Sequence, residues 1–130
     1  MIEELNRIPN TVWITPVNEN LDWQPANDPC ALELGGSWRL PANSEWTNVD
    51  ATGGWTNWDD AWDSGLKLHA AGYLQYDNGS MTGIGVTGYY WAGSQHSPTH
   101  GWALNFSSGS CFLNNNDKAF GYTIRCVKDN

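Results

Sequence analysis

Basic residues are scarce in this chain of 130 residues, which holds six Lys and Arg against fourteen Asp and Glu and carries a formal net charge of −8 at pH 7. The six are scattered singly, so the sequence contains no basic patch. Nucleic acids and anionic membrane surfaces are bound through clustered Lys and Arg. We therefore expect no nucleic-acid partner.

Long apolar runs are also missing, so the sequence predicts no transmembrane helix and no direct membrane insertion. The first ten residues include Glu3 and Glu4 and lack an apolar stretch, which is not the pattern of a signal peptide. The length predicts a single domain over residues 1–130 with one modest core.

Cysteine is present in an odd number, as Cys30, Cys111 and Cys126, and no CxxC spacing occurs. The strongest sequence signatures of zinc and redox sites are therefore absent. Two interpretations stay open. Either Cys30 and Cys126 form a disulfide and Cys111 is left over, or all three are reduced thiols.

Few residues of the sequence are spaced to form a catalytic or metal-binding site. His96 and His100 lie four residues apart, but Pro98 between them disfavours the helix that such a pair needs to hold a metal. The carboxylates Asp59 and Asp60 have no partner group nearby in the sequence. We predict no metal site, no cofactor and no enzymatic activity.

Turn-forming residues and tryptophan are abundant, with fourteen Gly and nine Trp. One helix is predicted over 42–52, because Pro41 precedes it and Gly53-Gly54 ends it. A short strand begins near residue 11, and period-two alternation predicts further strands over 66–76, 87–94, 101–107 and 120–128. Polar clusters predict turns at 77–80 and 114–117. The fold class is therefore α+β.

Alternation within 101–107 predicts a one-sided strand. Trp102, Leu104 and Phe106 are expected on a core face, and the intervening Ala103 and Asn105 on a face that is free to vary.

Three tryptophans, Trp55, Trp58 and Trp62, lie between the predicted helix and the sheet. They fit either a carbohydrate-stacking platform or packing between the core and the loops. We favour packing.

Several short motifs occur in an order that resembles a bacterial family, the Fibrobacter succinogenes major paralogous domain. They are Asp28-Pro29-Cys30, Trp38-Arg39-Leu40-Pro41, Glu45-Trp46, Ala70-Ala71-Gly72-Tyr73, Gly88-Tyr89-Tyr90-Trp91 and Ile124-Arg125-Cys126-Val127-Lys128-Asp129. The resemblance covers about residues 22–129. It implies the C-type lectin fold, with one main helix followed by a twisted antiparallel sheet and long loops.

Sugar-binding C-type lectins hold calcium with Glu-Pro-Asn and Trp-Asn-Asp motifs, and neither occurs in this sequence. We therefore expect calcium-independent binding.

The last third of the chain is similar to the variable proteins of diversity-generating retroelements. Those proteins run from a Gly-Tyr-Tyr-Trp strand to an Arg-Cys-Val ending, which here gives a variable region of about 89–127. Adenine-directed mutagenesis converts Asn codons into codons for many other residues. Gln95, Trp102 and Lys118 cannot arise in that way, so the resemblance implies that they are fixed framework.

The resemblance implies a display domain that recognises a macromolecular ligand, with protein the favoured class, on a bacterial cell surface or a phage particle. We predict that outward residues between Gln95 and Phe120 make the contacts. The predicted ligand-binding residues are His96, His100, Ser107, Ser110, Cys111, Phe112, Leu113 and Asp117.

Two alternatives remain for the function. The first is an undiversified, surface-displayed paralogous domain with an adhesive or structural role. The second is the formylglycine-generating family of oxidases, which shares a Trp-Arg-Leu-Pro stretch but needs paired reactive cysteines. Cys111 and Cys126 lie on different segments, which disfavours that chemistry.

Overall fold

The computed structural model describes residues 18–130, which combine short helices with antiparallel sheets in an α+β arrangement. The predicted strand near residue 11 begins outside the described residues. The elements in chain order are α1 (Pro29–Leu34), β1 (Trp38–Arg39), α2 (Asn43–Gly53), α3 (Trp58–Asp63), β2 (Tyr73–Leu74), β3 (Met81–Thr82), β4 (Gly88–Gln95), β5 (His100–Phe106), β6 (Cys111–Asp117) and β7 (Val127–Lys128). Within the described residues, no helix is long and apolar enough to cross a membrane.

The main sheet has three strands in the order β4-β5-β6, all antiparallel to their neighbours. The strand β5 therefore lies in the middle, and β6 is an edge strand of this sheet. Cross-strand pairs such as Tyr90 with Leu104 and Leu104 with Leu113 place these side chains on one face. We call this the inner face of the sheet.

The hydrophobic core lies between the inner face and the helices. Trp46 of α2 and Ala61 of α3 pack with Leu104 and Phe106 of β5 in one buried cluster. Gly88 opens β4 opposite Phe106, and a Cβ at this position would overlap the Phe106 ring. The glycine therefore makes room for the buried Phe106 ring.

The two ends of the described chain are joined at one place. Strand β1 pairs with β7, and Cys30 of α1 forms a disulfide with Cys126, 96 residues later. Of the two interpretations that the sequence left open, the structure has the bridge. Cys111 is the free thiol.

Arg39 completes this junction through two carboxylates. Its guanidinium lies 2.7 Å from Glu45 on α2 and 2.9 Å from Asp129 after β7. The hydrogen bond from Arg39 lowers the pKa of Glu45 to about 2. Buried Asp28 accepts hydrogen bonds from the backbone N–H groups of Cys30 and Leu40. The motif residues that carry the family resemblance thus hold the ends of the domain together.

The predicted helix over 42–52 is confirmed as α2, and the predicted strands over 87–94 and 101–107 are confirmed as β4 and β5. The turn at 77–80 is also confirmed. Helix α1 was not predicted from the sequence. In fact Asp28 is the N-cap and Pro29 the first residue of the helix.

Two predicted strands are mostly wrong. Within 66–76 only Tyr73–Leu74 is a strand, because Lys67 and Gly72 take positive φ angles that break an extended run. Within 120–128 only Val127–Lys128 is a strand, and the segment before it makes single bridges to Leu74 and Tyr90. That segment therefore links the small β2–β3 sheet to the main one.

Of the three tryptophans Trp55, Trp58 and Trp62, only one is packed in the hydrophobic core. Trp55 is buried in the core cluster. Trp58 and Trp62 are 36% and 44% exposed, because they project from the solvent side of α3. The expectation of core packing is therefore wrong for this pair, although the Trp62 ring packs against His69 in the segment after α3.

Candidate functional site

The central strand β5 is buried on both faces, which corrects the expectation that one face is free to vary. Leu104 and Phe106 lie in the core as predicted, and Trp102 packs against it. Ala103 and Asn105, on the opposite face, are also buried, and Asn105 is only 6% exposed. We call this opposite side the outer face of the sheet.

An aromatic cluster covers part of the outer face. Tyr122 stacks on Tyr89 with ring centroids 4.7 Å apart and lies 4.4 Å from Trp91. Phe120 stacks on Tyr122 at 5.5 Å. Tyr89 and Trp91 are the cross-strand partners of Asn105 and Ala103. The C-terminal segment thus shields the β5 positions that the alternation pattern left open.

Strand β6 is where the sequence predicted a turn, at 114–117. The Asn run forms a strand instead because β5 supplies a full ladder of partners, from Phe106 with Cys111 to His100 with Asp117. Tertiary pairing overrides the low strand propensity of Asn and Asp. The edge strand therefore carries the polar run on a regular backbone.

Neighbouring side chains of β6 point to opposite faces, so the predicted binding residues divide. Cys111 and Leu113 are partly buried against the core cluster, on the inner face. Phe112 and Asn114 lie on the outer face and are exposed, Phe112 by 44%. Cys111 and Leu113 were predicted to face outward, and this is wrong because α2 packs against that side of β6.

The thiol of Cys111 lies in a poor environment for a nucleophile. Burial, and then the neighbouring Asp50 carboxylate, raises the pKa of Cys111 above its usual range. Cys126, the other member of the pair that an oxidase site would need, is bonded to Cys30. The structure does not bring Cys111 and Cys126 together as free thiols.

We expect Cys111 to react slowly with iodoacetamide between pH 7 and 9. The thiolate is the nucleophile, and a raised pKa keeps the group protonated where an ordinary cysteine, with a pKa of about 8.5, is partly ionised. Mass spectrometry of the native protein, with unfolded protein as the control, measures this. Two fast-reacting thiols in the native protein would contradict both the bridge and the burial of Cys111.

Three predicted residues gather at the turn between β4 and β5. His96 is exposed and packs edge-on against Trp102, with ring centroids 5.2 Å apart. The Nδ1 atom of His100 lies 2.8 Å from the Thr99 hydroxyl, and His100 pairs across the sheet with Asp117. We call this end of the sheet, with His96, His100 and Asp117, the histidine end.

Two other predicted residues lie in the turn between β5 and β6. The Ser107 and Ser110 hydroxyls are 2.9 Å apart, and the Ser107 N–H donates to the Ser110 carbonyl. The two exposed residues between them form the tip of the turn. We call this end, with Ser107, Ser110 and Phe112, the serine end.

The histidine end and the serine end are separated by the length of β5. Seven residues at about 3.3 Å each span roughly 20 Å. The structure therefore does not bring all eight predicted residues into one compact site. Six of them lie at the two ends of the sheet, with the Asn run of β6 between these ends, and Cys111 and Leu113 face the core.

Segment 18–24 was not predicted to contribute to the site, yet it lies against the histidine end. The Lys118 ammonium contacts the Glu19 carboxylate at 3.0 Å, and the Gln95 backbone N–H donates to Asp22 at 2.8 Å. The Gln95 side-chain amide donates to the Asn20 carbonyl. Only the choice of Gln95 and Lys118 as framework positions hinted at these contacts.

The polar groups of the described residues do not converge on a metal site. No group of three or more His, Cys, Asp or Glu side chains within residues 18–130 is arranged to hold a metal ion. The arrangement offers hydrogen-bonding amides, hydroxyls and imidazoles beside exposed aromatic rings. Such groups suit recognition of a surface.

Residues 51–127, more than half of the chain, match the family described as Domain of unknown function (DUF8237). The chain belongs to this family. The match begins within α2 and ends at β7, so it includes the whole main sheet and both ends of the candidate site. No curated protein matches the chain, and no solved structure matches it either.

Proposed function

We propose that this protein is a ligand-binding display domain with the C-type lectin fold. In this proposal, a surface along one edge of the main sheet recognises a macromolecular target. Protein is the target class we favour, and diversification by a retroelement is the source of the variation. The recognition surface consists of the histidine end, the serine end and the exposed outer-face residues of β6 between them.

The overall architecture supports the fold assignment. One main helix, α2, precedes an antiparallel sheet connected by long loops. The family motifs at residues 28–30, 38–41, 45–46 and 124–129 meet at the junction of the chain ends. The helix followed by an antiparallel sheet agrees with the order of elements that the resemblance implied, and the meeting of the motifs is an additional observation that supports the assignment.

One observation carries the functional proposal. Between Gln95 and Phe120, the three residues that adenine mutagenesis of Asn codons cannot produce all have structural contacts: Gln95 and Lys118 hold segment 18–24, and Trp102 packs on the core. The exposed candidates His96 and Phe112 lie at the surface, where the His96 ring packs against Trp102 and Phe112 pairs with Asn105 in the β5–β6 ladder. A scaffold with tolerant positions on a rigid sheet is what a surface of changing specificity requires.

The net charge of the chain and the side-chain types on the recognition surface support a protein target. The chain carries a net charge of −8, which disfavours nucleic acid and anionic surfaces. Imidazole, hydroxyl and amide groups supply adaptable hydrogen bonds, and Phe112 supplies an exposed aromatic anchor. Paratopes of protein-binding domains combine the same two kinds of residue.

The DNA beside the gene tests the proposal directly. We expect a near-copy of codons 89–127, close to a reverse-transcriptase gene, that differs from this gene only where the copy has adenine. The codons of the buried Leu104 and Phe106 should be identical in the two copies, because substitutions there would damage the core.

A fully sequenced neighbourhood without such a copy would overturn diversification. The undiversified paralogous domain with an adhesive role would then replace it. Differences concentrated at Gln95, Trp102 or Lys118 would contradict the assignment of framework and recognition positions.

A further inference from the structure

A groove beside α3 lies outside the proposed recognition surface. Its volume is about 630 Å³, within the range of small-ligand sites, which is roughly 300–1,000 Å³. Trp58 and Trp62, four residues apart and therefore on one side of α3, line it together with Met81 and Ile84. All four side chains are exposed. Neither indole is part of the hydrophobic core, so core packing does not explain why two tryptophans lie over this groove.

The two indoles differ in how they are held. The Trp62 ring lies 4.8 Å from the His69 ring, and the Lys67 ammonium lies 5.5 Å from its centroid. Trp58 has no ring partner within residues 18–130, but its backbone N–H donates to the Ser107 carbonyl at 2.8 Å. The Trp58 hydrogen bond therefore connects α3, on one side of the groove, to the end of the main sheet. The Trp62 ring contacts His69 and Lys67, whereas the Trp58 ring has no ring partner among the described residues.

Polar groups line the same groove. Asp59, between the two tryptophans in the sequence, is exposed and has no hydrogen-bond or ion-pair partner among the described residues. His69 lines the groove and carries an imidazole whose two nitrogens accept or donate. Flat aromatic faces thus lie beside a free carboxylate and an imidazole.

We propose that this groove binds a neutral saccharide. A pyranose ring has a face of C–H groups, which suits the negative face of an indole, and a rim of hydroxyls, which suits a carboxylate and an imidazole. The net charge of −8 disfavours acidic sugars. An apolar peptide would use the two tryptophans but would leave Asp59 without a role.

Titration of the intact protein with neutral hexasaccharides tests the proposal. The panel contains α-1,4 and β-1,4 glucans, β-1,4 xylan, β-1,4 mannan and chitohexaose, and binding is followed by calorimetry and tryptophan fluorescence. We expect at least one to bind and Trp58→Ala to weaken it about tenfold, the effect of losing one stacking contact. Trp23→Ala, at an exposed tryptophan outside the groove, is the matched control and should change little.

A second pair of variants separates a sugar from an apolar ligand. Asp59→Ala should weaken saccharide binding several-fold, and Asp63→Ala, at an exposed carboxylate of the same helix that does not line the groove, should not. Binding by no member of the panel would overturn the proposal. So would equal losses in the Trp58 and Trp23 variants, or in the Asp59 and Asp63 variants. Trp58 and Trp62 lie outside residues 89–127, so these results are independent of diversification.

Discussion

Removing the disulfide between Cys30 and Cys126 is expected to destabilise the protein by about 4–5 kcal/mol. The bridge closes a loop of nearly the whole described chain, with a sequence separation of 96. In the chain-entropy model, the free energy gained grows with the logarithm of the loop length. The double variant Cys30→Ala, Cys126→Ala should therefore unfold at much lower urea concentration.

Thermal unfolding gives the same prediction a second measurement. A loss of this size corresponds to a fall of melting temperature on the order of 15 °C for a domain of this length. The control is Cys111→Ala, which removes the free thiol and leaves the bridge intact. If reduction of the wild type leaves its unfolding midpoint unchanged, the two cysteines are not bonded in the folded protein.

The parts of the fold that were predictable from the sequence are those with strong local signals. Helix α2 has Pro41 before it and glycine at its end, with Gly54 in the left-handed conformation. Strand β5 alternates large apolar residues with small or polar ones, and β4 contains the consecutive aromatic residues Tyr89, Tyr90 and Trp91, which favour a strand. These patterns determine local structure without help from distant residues.

The parts that were not predictable depend on contacts that are distant in sequence. The Asn run at 114–116 forms a strand because β5 pairs with it, and nothing in its own composition favours this. The burial of Asn105 and Ala103 results from Tyr122 and its neighbours, which return over the outer face of the sheet. Alternation shows that two faces differ, but it does not show what covers the second one.

The candidate site shows the same limit. Outward residues between Gln95 and Phe120 were expected to form one surface, but alternation along β6 turns Cys111 and Leu113 inward and Phe112 outward. The contacts of segment 18–24 with Gln95 and Lys118 join residues more than seventy positions apart. Codon reasoning selected Gln95 and Lys118 as framework positions without indicating which residues they contact.

Phe106→Ala is expected to destabilise the protein by about 3–5 kcal/mol, the cost of deleting a fully buried aromatic side chain. Phe106 is 2% exposed, stacks on Tyr90 with ring centroids 5.9 Å apart, and packs in the same cluster as Trp46. Truncation would leave a cavity between the inner face of the sheet and the helices. Urea unfolding monitored by tryptophan fluorescence measures the loss.

Phe112→Ala is the matched control, because it makes the same chemical change on the neighbouring strand. Phe112 is 44% exposed on the outer face, so its truncation should cost less than about 1 kcal/mol. Equal destabilisation by the two variants would mean that the outer face of β6 is part of the core. A large loss of stability for Phe106→Ala and a small one for Phe112→Ala would agree with the two requirements of the proposed display domain, a stable core and a tolerant surface. One phenylalanine would then maintain the scaffold, and the other would be free to change with the ligand.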